Sequence, residues 1–511
     1  MTVLAILALL MTGGGQPAKT IQLEVDATTT YSISPYIYGA NFPDYSKVGN
    51  LFTFVRLGGN RTTAYNWETN ASNAGSDWHH QNDGYMGESN EAGLTYRKFL
   101  EDAQSHQAAV LLTIPTAGYV AADKKGDGDV AQTPNYLEVR FHKSLARKGK
   151  PFSYPPSTSD KVVYQDEFVS FLEGKKKSAT PLWYSLDNEP DLWGYTHQRI
   201  WPKNPTYAQI MANNEEFGRA IKDVAPKSLV FGPANYGFMG FRTFQGAPDS
   251  NGRDFIDAYL DHMRQVESKA GKRILDVLDI HWYPEARGDG VRICEGTDKP
   301  GTPAARIQAP RSLWDPTYVE TSWIADYLGK KPIALLPTIN AQIAKHYPGT
   351  KLAITEYNYG GGQHVSGAIA QADVLGIFGR YGLFAAANWG ISDKDIYQIA
   401  AFKAFRDYDR KGSAFGDRGL SVRGENPEID SLYASLFSND KSKLTLIYIN
   451  KESKPHSVAV KTTGFDGKTA RAFSITGSHC QKPLQVKASA SSGQVRFEAP
   501  ALSVTTVEVR L

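Results

Sequence analysis

The sequence predicts an α/β fold, a (β/α)8 TIM barrel with an additional β-sandwich domain formed from both chain ends. Three observations lead there. Between positions 35 and 411, eight short apolar, β-branched or aromatic runs each end in polar residues, and most are followed by a stretch of helical periodicity. Neither a G-x-G-x-x-G after the first run nor a P-loop occurs, so a doubly wound sheet would lack its nucleotide turn. From about position 412 the pattern changes to short alternating strands separated by Gly, Asn, Asp and Ser, as in a sandwich.

The elements follow in order. Residues 1–19 hold an apolar run, Val3–Met11, too short to span a bilayer. It resembles the apolar part of a secretory signal but lacks the charged residues that precede one, and reads as a shortened signal or an appended leader. "TIQLEVDATTTYSIS" (20–34) alternates like a half-buried strand; it is surplus to the barrel and is expected to pair into the sandwich. The barrel domain, 35–411, takes its strands from "YIYGANF" (36–42), "FTFVRLGGN" (52–60), "AAVLLTIP" (108–115), "LWYSLDNEP" (182–190), "SLVFGPANY" (228–236), "VLDIHWYP" (277–284), "KLAITEYNY" (351–359) and "GLFAAANWG" (382–390). Helical periodicity marks 96–106, 165–174, 210–224, 254–268 and 368–381. The sandwich, 412–511, takes "LTLIYIN", "HSVAVKTTG", "RAFSITG", "LQVKASA", "QVRFEAP" and "SVTTVEVRL".

Composition narrows the function. With 56 Lys and Arg against 53 Asp and Glu, nothing favours nucleic acid or an anionic membrane surface. The 41% hydrophobic content excludes general disorder. Only Cys294 and Cys480 are present, which excludes a disulfide scaffold and a four-cysteine zinc site; two separate thiols are expected. A G-x-S-x-G elbow and an H-E-x-x-H motif are both missing. His79 and His80 are neighbours that point opposite ways on a strand, which disfavours a shared metal. "ADKKGDGD" (122–129) offers Asp123, Asp127 and Asp129 at calcium-loop spacings but lacks the full EF-hand pattern.

In such a barrel the chemistry sits at the C-terminal strand ends. There the second strand brings Arg56 and Asn60, the fourth Asn188 and Glu189, the sixth His281 and Tyr283, the seventh Glu356 and the eighth Trp389. Pro190 disfavours the helical region for Glu189, so the chain is expected to stay extended through that residue. Trp183, Tyr184, Leu192 and Trp193 are expected to desolvate Glu189 and raise its pKa. Tyr283 and Arg56 are expected to keep Glu356 ionised. Two carboxyls across one mouth suit glycoside hydrolysis, one protonating the leaving oxygen while the other acts at the anomeric carbon. Aromatic strand ends suit sugar faces.

"YSLDNEPDLW" (184–193) and "AITEYNYGGG" (353–362), with "RLGGNRTTAYNW" (56–67) and "HWYP" (281–284), resemble the signatures of glycoside hydrolase family 44, the endoglucanase and xyloglucanase family. The resemblance covers nearly the whole chain. It implies Glu189 as acid/base, Glu356 as nucleophile, Asn188 on the sugar 2-hydroxyl, Tyr283 and Arg56 on the nucleophile, and Trp389 beneath the reacting sugar. Trp67 is expected to stack on another sugar; Asn60 and His281 complete the substrate-binding set, and Trp323 either lines the cleft or packs. The implied activity is a retaining endo-β-1,4-glucanase acting on cellulose-like polysaccharides, carboxymethylcellulose and xyloglucan, with xylan or mannan as further substrates. Alternatives are a xyloglucan-specific hydrolase or a non-catalytic carbohydrate-binding protein. Retention requires carboxyls about 5–5.5 Å apart, and a gap beyond about 6.5 Å would mean inversion. No cofactor is required; the family binds structural calcium, which the resemblance does not locate. The expected partner is the polysaccharide alone, with no nucleic acid or membrane, and the expected state is a secreted monomer.

Overall fold

In the computed structural model, which describes residues 20–177, 179–296 and 299–511, the eight runs form eight parallel strands closed into a barrel. The leader read at 1–19 lies outside the described residues. In chain order the barrel strands are Gly39–Asn41, Phe54–Leu57, Ala109–Ile114, Leu182–Leu186, Val230–Tyr236, Val277–Trp282, Lys351–Tyr357 and Ala385–Asn388. Every neighbouring pair is parallel, including the closing pair of eighth and first.

Residues early in the strands, among them Phe54, Leu111, Trp183, Phe231, Val277 and Ala353, face inward and plug the bottom with an apolar layer. Above it the interior turns polar: Arg56, Asp279 and Thr355 are all fully buried. The seventh strand carries an irregularity. Ala353 lies in the inner layer, and strict alternation would send Glu356 outward. A register shift against the sixth strand between Ile280 and His281 sets His281 opposite Glu356, and the bulge turns the carboxyl into the barrel.

The C-terminal strands form one ten-stranded sheet, which includes Ile21–Ser32 from the other end of the chain. That strand runs antiparallel to Arg418–Arg423 and parallel to His456–Thr463. The sheet curls so that its ends approach each other around a shared core that includes Leu23, Leu446, Val458, Phe497 and Val507. Two strands escaped the sequence reading, Arg418–Arg423 and Asp430–Leu436. The second is buried on both faces, with Leu432 and Ala434 in the sheet core and Tyr433 toward the barrel, so no alternation marks it.

Helix Val365–Arg380 wedges between barrel and sheet, and every residue from Val365 to Gly379 is buried; a helix enclosed on all sides is apolar all round. Its one interior acid, Asp373, meets Lys451 of the sheet at 2.8 Å, and the Tyr433 hydroxyl donates to it at 2.6 Å. Both charged side chains are almost wholly buried. Lys451→Met is therefore expected to lower stability by about 3–5 kcal/mol, read from urea unfolding, because it strands a buried carboxylate. A loss below about 1 kcal/mol would show that the pair does not clamp the domains together.

Candidate active site

Glu189 does not continue the strand. The fourth barrel strand stops at Leu186, and Asp187 and Glu189 both adopt left-handed backbone, with φ of 66° and 44°. Proline disfavours the right-handed helical region for its predecessor, but tertiary contacts select a left-handed turn instead of the extended chain expected. The Glu189 amide donates to the Ala234 carbonyl at 3.0 Å. Buried Asp187 accepts from the amides of Thr116 at 2.5 Å and Asn188 at 2.8 Å. Two non-glycine residues at positive φ cost roughly 1–3 kcal/mol each, and these bonds hold them there. The turn carries Asn188 and Glu189 into the barrel mouth.

The desolvating shell also differs from the one expected. Trp183 lies in the bottom layer, and Tyr184 faces outward, its hydroxyl donating to Glu173 at 2.8 Å. Glu189 is nonetheless 9% exposed, and burial pushes its carboxyl up to about 8, helped by the charge of Asp77 and opposed by Arg56. His281 lies beside it, Nδ1 to Oε1 at 2.8 Å. Burial drives this imidazole down to about 3. A neutral histidine and a protonated carboxyl thus share one hydrogen bond near neutral pH.

Glu356 has the opposite surroundings. Arg56 Nη1 donates to one oxygen at 2.7 Å and the Tyr283 hydroxyl to the other at 2.8 Å. Burial and the two nearby glutamates hold the Tyr283 phenol well above its ordinary value, so it remains a donor. Arg56 is itself buried and forked: its other terminal nitrogen donates to Asn188 Oδ1 at 2.7 Å, and Nη1 also reaches Asn41 Oδ1 at 3.2 Å. One guanidinium thereby fixes the second carboxylate and the asparagine beside the first. A ligand atom each from Glu189, His281 and Glu356 lie within 4.8 Å of one another.

The glycines of "RLGGN" now have a reason. A Cβ on Gly58 would overlap the Arg56 guanidinium, and one on Gly59 would sit 2.5 Å from the Trp389 ring. The Gly59 amide also donates to Asn188 Oδ1 at 3.2 Å. Trp389 is half-buried and meets Phe42 edge-on at 5.7 Å. The two rings line a cleft of about 640 Å3 with Gly59, Asn60, Tyr85 and Phe99. Asn60 bridges Asp77 at 2.7 Å and Asn188 at 3.4 Å.

One expectation is corrected. Trp67 is fully buried and stacked on Phe168 at 5.3 Å, so it is a core ring and reaches no sugar. The 122–129 loop does not fit a calcium ion. Arg140 binds Asp123 at 2.7 Å and Asp127 at 2.7 Å, and Arg199 binds Asp129 at 2.6 Å, so guanidinium groups already balance all three carboxylates. Trp323 is 42% exposed, edge-on to Phe238 at 6.1 Å. Cys294 and Cys480 are separate free thiols.

Asn41 went unnoticed in the sequence. Its amide donates to the Thr355 carbonyl at 2.9 Å while its oxygen accepts from Arg56, and Thr355 in turn donates to Asp279 at 2.9 Å. Its position at the end of the first strand was the available signal.

The raised Glu189 carboxyl makes a prediction about stability. The native state retains the proton up to about 8, whereas the unfolded chain releases it near 4.5. Native stability is thus fully present below about 4.5 and declines as pH rises toward 8. Glu189→Gln removes this cost and is expected to stabilise the fold at pH 8 by on the order of 3 kcal/mol, with little gain at pH 4. Urea midpoints at the two pH values test it, and equal gains at both would sink it.

Comparison with known proteins gives the family of the chain. The sequence profile of glycoside hydrolase family 44 matches residues 71–286. "Beta-mannanase/endoglucanase A" of Caldicellulosiruptor saccharolyticus is 43% identical over 456 residues, 82% of this chain; the chain spans about a third (33%) of that relative's length. The family 44 endoglucanase Cel44A of Clostridium thermocellum superposes with a TM-score of 0.90 at 40% identity, covering 96% of this chain and 100% of the other. The family 44 xyloglucanase of Paenibacillus polymyxa, solved with xyloglucan, superposes with a TM-score of 0.90 at 36% identity and the same coverage.

Proposed function

The chain belongs to glycoside hydrolase family 44, and from that premise we propose that it is a retaining endo-β-1,4-glucanase that works by double displacement. The observation carrying the proposal is the pairing of Glu189 and Glu356. One oxygen of each carboxyl lies within 4.8 Å of the other, nearer the retaining separation than the inverting one. One carboxyl is kept protonated by burial, and the other is met by two donors. Glu189 gives its proton to the glycosidic oxygen while Glu356 attacks the anomeric carbon, and the leaving chain departs with that proton. Glu189, now a carboxylate, then takes a proton from water, which displaces Glu356 and restores both groups. Arg56 and Tyr283 orient the attacking carboxylate, and Asn188 is placed to bond the 2-hydroxyl.

An open mouth supports action within a chain. Exposed Trp78 and Tyr85 lie on the loop after the second barrel strand, and exposed Trp323 and Tyr327 on the loop after the sixth. In a ring of eight these loops are opposite, so a polysaccharide crossing the mouth meets rings on both sides of the carboxyls. Such a polymer cannot enter a cell, which supports action outside it; among the described residues no helix is long and apolar enough to cross a membrane. Xyloglucan is the second reading, favoured by the Paenibacillus polymyxa relative.

The test is hydrolysis of carboxymethylcellulose, xyloglucan, xylan and mannan, following viscosity, reducing ends and the first-formed anomer by proton NMR. The expected outcome is a steep viscosity drop per reducing end and the β-anomer first. An α-anomer first would establish inversion and defeat the mechanism. An inert chain that binds these polymers would be a carbohydrate-binding protein. Because release of the Glu189 proton ends its service as an acid, kcat/KM is expected to fall above about pH 8; a profile flat to pH 10 would contradict that role.

A further inference from the structure

A second groove, outside the catalytic cleft, lies behind the acid/base turn. It has a volume of about 540 Å3 and is lined by Trp201 and Pro248 together with Lys203, Asn204, Gln209 and Gln245. We propose that it is an accessory site for a β-1,4-linked glucan chain, which holds polymer beside the cleft. The inference rests on the functional reading above and concerns a different surface.

The chemistry of the lining favours a sugar. Trp201 donates its indole N–H to the Ala117 carbonyl at 2.9 Å, so its hydrogen-bonding capacity is spent within the protein. What it has left for the groove is ring surface, which suits the C–H faces of a pyranose. Around the ring stand three amides, each with one end used and the other open among the described residues. Asn204 Oδ1 accepts from the Gly194 amide at 2.7 Å and leaves Nδ2 free. Gln209 Oε1 caps its helix through the Thr206 amide at 2.9 Å and leaves Nε2 free. Gln245 Nε2 donates to Asp191 at 3.1 Å and leaves Oε1 free. The bonded ends fix the orientation of the open ends, giving two donors and one acceptor beside a ring. Hydroxyls that both donate and accept match that set, and an apolar peptide would leave the amides unanswered.

The groove is also continuous with the catalytic turn. Trp201 packs on Trp193 at 5.5 Å, and the Trp193 indole donates to the Asn188 carbonyl at 3.1 Å. Gln245 meets Asp191, two residues after Glu189. One β-glucan can therefore lie in the cleft while a second chain, or a distant part of the same one, rests in the groove. Affinity for a single segment is expected to be weak, on the order of 1 mM, and useful only when cleft and groove hold the polymer together.

The test compares the full chain with Trp201→Ala and Gln209→Glu. The second variant keeps the capping oxygen and replaces the free donor with a carboxylate, so it tests the site without removing the ring. Migration through native gels containing hydroxyethylcellulose is measured in a Glu356→Gln background, which leaves the gel undigested. Cleavage of cellotetraose is measured in the otherwise native chain. The expected result is an apparent dissociation constant at least threefold higher in the gel for both variants, with kcat/KM on cellotetraose within twofold. Unchanged migration of both variants would overturn the proposal, and so would a parallel loss on cellotetraose, which would make the groove merely a wall of the cleft. If the native chain cleaves β-glucan and the variants match it, this proposal alone fails. A native chain that neither cleaves nor binds any β-1,4-glycan would overturn the functional reading, and this proposal with it.

Discussion

Glu356→Gln is expected to lower kcat on every substrate by about 10⁵-fold, whatever the leaving group, because among the described residues no other carboxylate lines up to form the glycosyl-enzyme. The fold should survive: the amide oxygen of Gln can still accept from Arg56, the bond that Glu356 makes at 2.7 Å. Glu189→Gln is expected to behave differently. On polymers, whose leaving alcohol needs a proton, kcat should fall by roughly 10²–10⁴-fold. On a dinitrophenyl cellobioside the phenolate leaves unaided, so a pre-steady-state burst of phenol should persist at close to the native rate while turnover slows. The contrast assigns the roles. If both variants lost the burst, Glu189 would be needed for more than proton transfer; if Glu356→Gln kept native turnover, the nucleophile would lie elsewhere.

Arg56→Lys is expected to lower kcat/KM by roughly 10²–10³-fold although the charge is conserved. The guanidinium reaches Glu356, Asn188 and Asn41 at once from a fully buried position. An ammonium is a point charge on a different stem and cannot span the two sides of the fork, so either the carboxylate or the asparagine drifts. Because both act through one residue, Arg56→Lys and Asn188→Ala should combine less than additively. A loss below threefold, or strict additivity, would show that the fork holds neither group. Gly58→Ala should mimic the defect, since a methyl group there displaces the guanidinium.

Much of this site was legible in the sequence because its residues stand at the ends of runs. A strand that terminates in Asn-Glu-Pro, another in Thr-Glu-Tyr and a third in His-Trp-Tyr-Pro must deliver those groups to one mouth once the runs close into a barrel. Arg56, Asn188, Glu189, His281, Tyr283 and Glu356 all arrive there. Trp67 did not follow, because a tryptophan seven residues past Asn60 reads alike whether it faces a cleft or a core; stacking on Phe168, about a hundred positions away, decided it. The aspartates at 123, 127 and 129 show the same limit, since Arg140 and Arg199 that neutralise them lie outside the local pattern.

The sequence by itself determined the eight-strand barrel, the sheet that takes in both chain ends and which two glutamates close the fourth and seventh barrel strands. These follow from periodicity and from which residue types close each run, properties that local chemistry sets. The tertiary structure alone decided which way those groups point and what state they hold. A bulge between the sixth and seventh strands turns Glu356 inward. Two left-handed residues bend the chain so that Glu189 enters the mouth. Burial keeps that carboxyl protonated, and a single arginine three hundred positions from Glu356 orients the other. Direction and desolvation depend on neighbours distant in sequence, and those neighbours exist only once the barrel has closed.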